Sequence, residues 1–273
     1  MISQNYSTNI SKKKIFLLSV PIFFANLAIP FTGIIDTGLM GNLGETKFLA
    51  ATSIATSVMT MIIWSFGFLR MGTVGIVAQL FGKSDYREIS RTLLRNFIIA
   101  LAIGVIIILF KPIIVNFIKY FFSISNDTQE LINTYISIRV LSVPAELIIY
   151  ILIGFYLGIQ KTNLSSLLVI TMSILNIVLS SFFVLSLNLN VFGVALGTLI
   201  SSYITAVIFS LFTYNFIVKK FQITPTFQKL IVPSKLMKLF MINFDIFIRT
   251  LLLTFSFLWI TYMGSKLGED YLA

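Results

Sequence analysis

Apolar runs long enough to cross a bilayer recur along the chain, separated by short polar breaks. A hydrocarbon core of about 30 Å needs about 20 residues of helix at about 1.5 Å each. Runs of that size lie at 15–38, 51–78, 96–118, 131–159, 164–186, 191–217 and 246–264. The fourth and sixth exceed the requirement and predict tilted helices. The breaks differ in charge. The N-terminal tail and every second break carry thirteen basic residues: Lys12, Lys13, Lys14, Lys83, Arg87, Arg91, Arg95, Lys161, Lys219, Lys220, Lys229, Lys235 and Lys238. The other breaks and the C-terminal end hold only Lys47, Lys119 and Lys266, while Arg70, Lys111, Arg139 and Arg249 fall inside spans. Positive charge is retained on the cytoplasmic side, so the pattern predicts a multi-pass protein of the cell (inner, cytoplasmic) membrane with its N-terminus inside. The first run also resembles a signal peptide in charge, but it is too long for one and carries Pro21, Pro30 and Asp36.

Composition agrees with lipid as the solvent. Of 273 residues 57% are hydrophobic and 11% charged, and the mean hydropathy is +0.97, whereas soluble domains carry roughly 25% charged residues. The absence of Cys and His removes thiolate nucleophiles, imidazole bases, disulfides and the usual zinc ligands. No enzymatic chemistry, cofactor or metal is expected. A net charge of +10 would suggest nucleic acid in a soluble protein. Here the loop asymmetry accounts for it, so the bilayer and not nucleic acid is the expected partner.

The segment 218–245 mixes five lysines with Leu, Ile, Met and Phe and is broken by Pro225 and Pro233. It reads as an amphipathic, interface-lying cytoplasmic linker. It divides the chain into a six-helix lobe, 1–217, and the first helix of a second lobe, 246–273. A repeat supports that division. Met40-Gly41-Asn42-Leu43-Gly44-Glu45 follows the first span and Met263-Gly264-Ser265-Lys266-Leu267-Gly268-Glu269 follows the seventh, and the Leu-Gly-Glu triplets are 224 positions apart. Six spans per unit keep the orientation, so the copies would be parallel repeats, and two full units would need roughly 448 residues.

Ionisable residues inside spans are costly and are functional candidates. Asp36 stands in Pro30-Phe31-Thr32-Gly33-Ile34-Ile35-Asp36-Thr37-Gly38, after a proline expected to kink the helix. It lies about 32 Å along an untilted helix from Ile15, so tilt or continuation of the helix must draw it inward. Arg70 and Arg139 could pair with Glu146 or line a water-filled cavity, and snorkelling or structural pairing is the expected role of both. Asp245 and Arg249 form an i, i+4 pair that suits fixing a helix end. Gly82-Lys83-Ser84 resembles the tail of a phosphate-binding loop, but the earlier glycine it needs is Val77.

Five stretches together carry a more specific signal. They are SVPIFFANLAIPFTGIIDTGLMGNLG from Ser19, FLRMGTVGIVAQLFGKSD from Phe68, IRVLSVPAELIIYILIGFYLGIQKT from Ile138, LNIVLSSFFVLSLNLNVFGVALGT from Leu175 and NFDIFIRTLLLTFSFLWITYMGSKLGEDYLA from Asn243. In order and almost without gaps, they resemble the multidrug and toxic compound extrusion (MATE) family, its DinF-like branch in particular. The resemblance implies an all-α integral membrane protein with a six-helix N-lobe, followed by one helix of a second, parallel-repeat lobe that is truncated here. It also implies secondary active efflux of drugs or other organic, often cationic, compounds in exchange for H⁺ or Na⁺. The family's N-lobe cation site maps onto Asp36, Asn176, Ser180 and Thr198, and its first-helix bend onto Pro21. Ser180 departs from the pattern, which has an aspartate there. Losing one carboxylate weakens a Na⁺ site more than a proton site, which favours H⁺ as coupling ion. The residues alone allow a blander role for Asn176, Ser180 and Thr198, that of small polar groups joining helices. The rival functions are a lipid-linked oligosaccharide flippase, which would want inward arginines, a membrane enzyme acting on lipid phosphates, which would want clustered carboxylates, and an inactive fragment. The expected partners are a small-molecule substrate and the missing C-terminal lobe.

Overall fold

The computed structural model describes residues 12–121 and 125–223, together with 244, 247–249 and 252. Eight α-helices run through the main part: α1 (Lys12–Gly41), α2 (Thr46–Ser65), α3 (Phe68–Gly82), α4 (Tyr86–Leu109), α5 (Lys111–Phe121), α6 (Asn126–Gly158), α7 (Thr162–Ser181) and α8 (Asn190–Phe221). A π-helical turn, Phe182–Ser186, extends α7. These helices build six membrane-span candidates: Ser19–Gly41, Thr46–Gly82, Tyr86–Leu109, Asn126–Gly158, Thr162–Ser186 and Asn190–Phe221. Expectations for the repeat copy at 263–273, for Asp245 and for nearly all of the seventh span lie outside the described residues.

Several spans differ from the sequence expectation, the second and third most of all. The second is two helices, because the backbone tightens at Phe66–Gly67, where Phe66 N–H bonds Ile63 O at 3.0 Å and Gly67 N–H bonds Trp64 O at 2.9 Å. A Cβ on Gly67 would stand 3.0 Å from Trp64 O, tighter than an ordinary contact. The third begins ten residues early. Asp85 caps α4 by accepting from Glu88 N–H at 3.1 Å, an acidic residue three positions on in the manner of a capping box. Arg91 and Arg95, expected in a loop, therefore lie on α4. Glu88 makes this possible by holding Arg95 at 2.7 Å and Arg91 at 3.7 Å. The same span ends at Leu109, and Lys111 starts the separate helix α5 instead of lying inside a span. At the other end of the bundle α8 continues to Phe221, so Lys219 and Lys220 belong to its last turn, not to the linker.

α6 forms the centre of the lobe. It is apolar on all sides, the pattern of a helix surrounded by others, and packs against α2, α3, α4 and α8. Small residues let the neighbours close in. A Cβ on Gly104 of α4 would meet Pro144 Cγ of α6 at 2.6 Å. On α6 itself, a Cβ on Gly154 would meet Arg70 O at 2.7 Å, and one on Gly158 would meet Val77 Cβ at 2.8 Å. Tyr86 stacks on Phe221 with ring centroids 4.3 Å apart, which sets the start of α4 beside the end of α8.

Candidate functional site

Asp36 rides on α1, whose helical backbone passes through Pro21 and Pro30 without interruption and runs on to Gly41. The continuation puts five further residues, about 7.5 Å of helix, beyond Asp36. α1 packs along α7, which presents Asn176 (5% exposed) and Ser180 (0%) one turn apart. α8 then closes on α7 through Gly197, where a Cβ would meet Ser180 Oγ at 2.5 Å and Ser180 N at 2.7 Å. That approach seats the next residue, Thr198, against Asn176, whose Nδ2 donates to Thr198 Oγ1 at 2.9 Å. Thr198 in turn donates to Val194 O at 3.1 Å.

The bonds leave a set of oxygens unused. Asp36 Oδ1, Asn176 Oδ1 and Ser180 Oγ are buried and have no hydrogen-bond partner. Ser180 neighbours the Asp36 carboxylate without a well-directed bond to it. A buried polar atom without a partner costs roughly 1–3 kcal/mol, so three in one cluster describe a place that gains by accepting a proton or a cation. The four residues predicted for the site are thus brought together from α1, α7 and α8. Pro21 lies further down α1, about 22 Å from Asp36 at 1.5 Å per residue.

Beside Asp36 a cavity of about 470 Å³ opens between α1 and α2, with Gly33, Asp36 and Thr37 on one wall and Thr52, Thr56 and Ser57 on the other. Thr56 Oγ1 is 2.9 Å from Tyr135 OH of α6. Tyr135 adjoins Arg139, and Arg139 pairs with both Ser142 and Glu146. Ser142 Oγ also lies 2.7 Å from Glu146 Oε1. Arg139 is close enough to act electrostatically on Asp36 as well. Thr52, Thr56, Tyr135 and Gly197 were not singled out in the sequence. The i, i+4 spacing of Thr52 and Thr56, repeated by Ser53 and Ser57, was the available signal for the first two. Gly197 gave none, because only its neighbour across the interface makes it special.

The MatE family model matches residues 21–182. The chain belongs to the MATE family. It is 32% identical to the DNA damage-inducible protein F of Escherichia coli K12 over 96% of its own length and 57% of that relative. Against the multidrug export protein MepA of Staphylococcus saprophyticus the identity is 26%, over 86% of this chain and 52% of that one. A MATE transporter solved in the bent conformation superposes with a TM-score of 0.83 at 21% identity, over 95% of this chain and 58% of the other. An outward-facing multidrug resistance MATE transporter gives 0.77, over 90% and 54%. The chain spans about half the length of the relatives it matches, and its six described spans correspond to the N-lobe half of the MATE fold. MATE proteins are transporters, not enzymes, and this is a multi-pass membrane protein.

Proposed function

We propose that this lobe serves a secondary active exporter of organic, often cationic, compounds and that Asp36, Asn176, Ser180 and Thr198 form its ion-coupling site. The observation that carries this reading is the convergence of three unpartnered buried oxygens, one of them a carboxylate, beside a cavity. Burial in lipid disfavours a bare carboxylate, so Asp36 can take a proton on one side of the membrane and release it on the other as the helices rearrange. H⁺ is the preferred coupling ion, since with Ser180 in place of a second acid the site offers one negative charge to a hard cation. Pro21 supplies a position at which α1 can bend, because a mid-helix proline removes one backbone bond.

The N-terminus is assigned to the cytoplasm from the basic breaks. With α8 running to Phe221, residues 222–245 are assigned as a cytoplasmic amphipathic linker and 246–273 as the first helix of a second lobe. A transport cleft between lobes requires that second lobe as partner. The test is efflux of ethidium from proteoliposomes under an imposed pH gradient, with the chain alone, with a co-reconstituted C-terminal lobe, and with Asp36→Asn in each. Gradient-driven efflux lost in Asp36→Asn is the expected result. Undiminished pH-driven efflux by Asp36→Asn would remove Asp36 from the mechanism.

A further inference from the structure

A second cavity, of about 390 Å³, lies between α1, α3 and α6 and is lined by Ile22, Asn26, Arg70, Met71, Val74 and Leu157. Its chemistry is opposite to that of the Asp36 cavity. The other arginines of the helical core have acids at hand: Arg91 and Arg95 share Glu88, and Arg139 has Glu146. Arg70 has no carboxylate within 4 Å among the described residues. Its guanidinium stands over the Tyr150 ring at 5.8 Å, a contact that orients the charge without neutralising it. Arginine keeps its charge at any physiological pH, and a lone cation at membrane depth is costly enough to call for a counter-charge.

The depth is set by packing. The backbone of Arg70 lies against Gly154, four residues or about 6 Å from the end of α6. Beyond that end are the exposed Lys83, Arg87, Lys161, Lys219 and Lys220. Arg70 is therefore in the leaflet that borders the basic end of the lobe, below the level of the surface lysines. Asn26 adds amide donors on the facing wall, and the remaining lining is apolar.

We infer that the Arg70 cleft is a binding site for the acidic head of an amphiphile, with Arg70 and Asn26 donating to a phosphate, phosphonate or carboxylate group and Ile22, Met71, Val74 and Leu157 receiving the apolar chain. A guanidinium fork matches such oxyanions in a bidentate way, and basic pockets between helices near the basic side of a membrane suit anionic headgroups. The inference is independent of the coupling role of Asp36, since the two cavities share no residue. The ligand can come from the leaflet itself or from solution as a soluble acidic amphiphile.

The test is native mass spectrometry of the full chain in detergent, titrated separately with dioleoyl phosphatidylglycerol, dioleoyl phosphatidylcholine, dodecyl phosphate, dodecyltrimethylammonium and inorganic phosphate. Phosphatidylglycerol or dodecyl phosphate should bind in preference to its zwitterionic or cationic counterpart. Loss of a charged hydrogen-bond partner should weaken binding roughly tenfold in Arg70→Gln, while Arg70→Lys, which keeps the charge but not the fork, should bind between the two. Should Arg70→Gln not fold, Met71→Glu places an acid in the half-exposed rim and should abolish binding with the arginine in place. Binding of phosphatidylglycerol without dodecyl phosphate identifies the leaflet as the source, and binding of both identifies a wider class of acidic amphiphiles. Equal binding of phosphatidylglycerol and phosphatidylcholine, wild-type affinity in folded Arg70→Gln or Met71→Glu, or inorganic phosphate binding as well as dodecyl phosphate would each overturn the inference.

Discussion

α1 and α6 are both helices of 30 residues or more, both contain proline, and both carry one carboxylate in their apolar length. Their surroundings differ. In the most apolar stretch of α6, 78% of the residues are buried inside the lobe, against 11% for α1. Glu146 on α6 is paired through Oε1: Arg139 donates to it and Ser142 lies beside it. Asp36 on α1 retains a buried oxygen without a partner. The bundle thus handles a membrane carboxylate in two ways. At the centre, where a helix is enclosed by its neighbours, the charge is locked into a pair. On the outermost helix it is left open, next to a cavity.

Substitutions can break or sharpen this contrast. The largest effect is expected for Glu146→Ala, which strands the buried Arg139 charge and should cost about 3–5 kcal/mol. Thermal unfolding of the purified chain in detergent measures it, and a loss below about 1 kcal/mol would show that the pair is not structural. Gly154→Ala and Gly197→Ala come next, because each new Cβ would meet its neighbour at 2.7 Å or less, and overpacking of this kind costs about 1–3 kcal/mol. Gly197→Ala should also part Asn176 from Thr198, whereas Gly154→Ala should leave that pair intact, a difference that double mutants with Thr198→Val can resolve. Thr198→Val alone removes one hydrogen bond and should cost about 1 kcal/mol. The smallest change in stability is expected for Asp36→Asn, which replaces an acid that has one unpartnered buried oxygen by a neutral group. Its melting temperature should equal or slightly exceed that of the parent while coupled efflux is lost. A large destabilisation by Asp36→Asn would mean that Asp36 resembles Glu146 after all.

The two arginines inside spans make the same point with the opposite charge. In the sequence Arg70 and Arg139 looked alike, each a single cation in an apolar run. Glu146 follows Arg139 by seven residues, two turns along one helix, so that this pair was within reach of sequence reasoning and is present. Arg70 has no acid at such spacing on its own helix, and only the positions of Tyr150, Asn26 and Leu157 on two other helices show that it faces a cleft. The breaks in the second and third spans were legible only in part. Gly67 and the Asp85–Glu88 cap are local signals, but hydropathy runs through the first, and the charges at Arg87, Glu88, Arg91 and Arg95 make the start of α4 look like a loop after the second.

The spans themselves, their number over the described residues and the membrane environment were determined by sequence alone. They depend on how many consecutive side chains are apolar, which is a local property that lipid reads directly. The residue strings that resemble the MATE family placed Asp36, Asn176, Ser180 and Thr198 on a list, and the i, i+4 spacing of Asn176 and Ser180 put those two on one face. Tertiary structure decided the rest. Which helix would be central and whether Thr198 would reach Asn176 depend on how close two backbones can come. That distance is set at Gly104, Gly154, Gly158 and Gly197 by side chains distant in sequence. A pairing across helices is satisfied only where packing brings a partner within about 3 Å, and no run of residues along one helix contains that information.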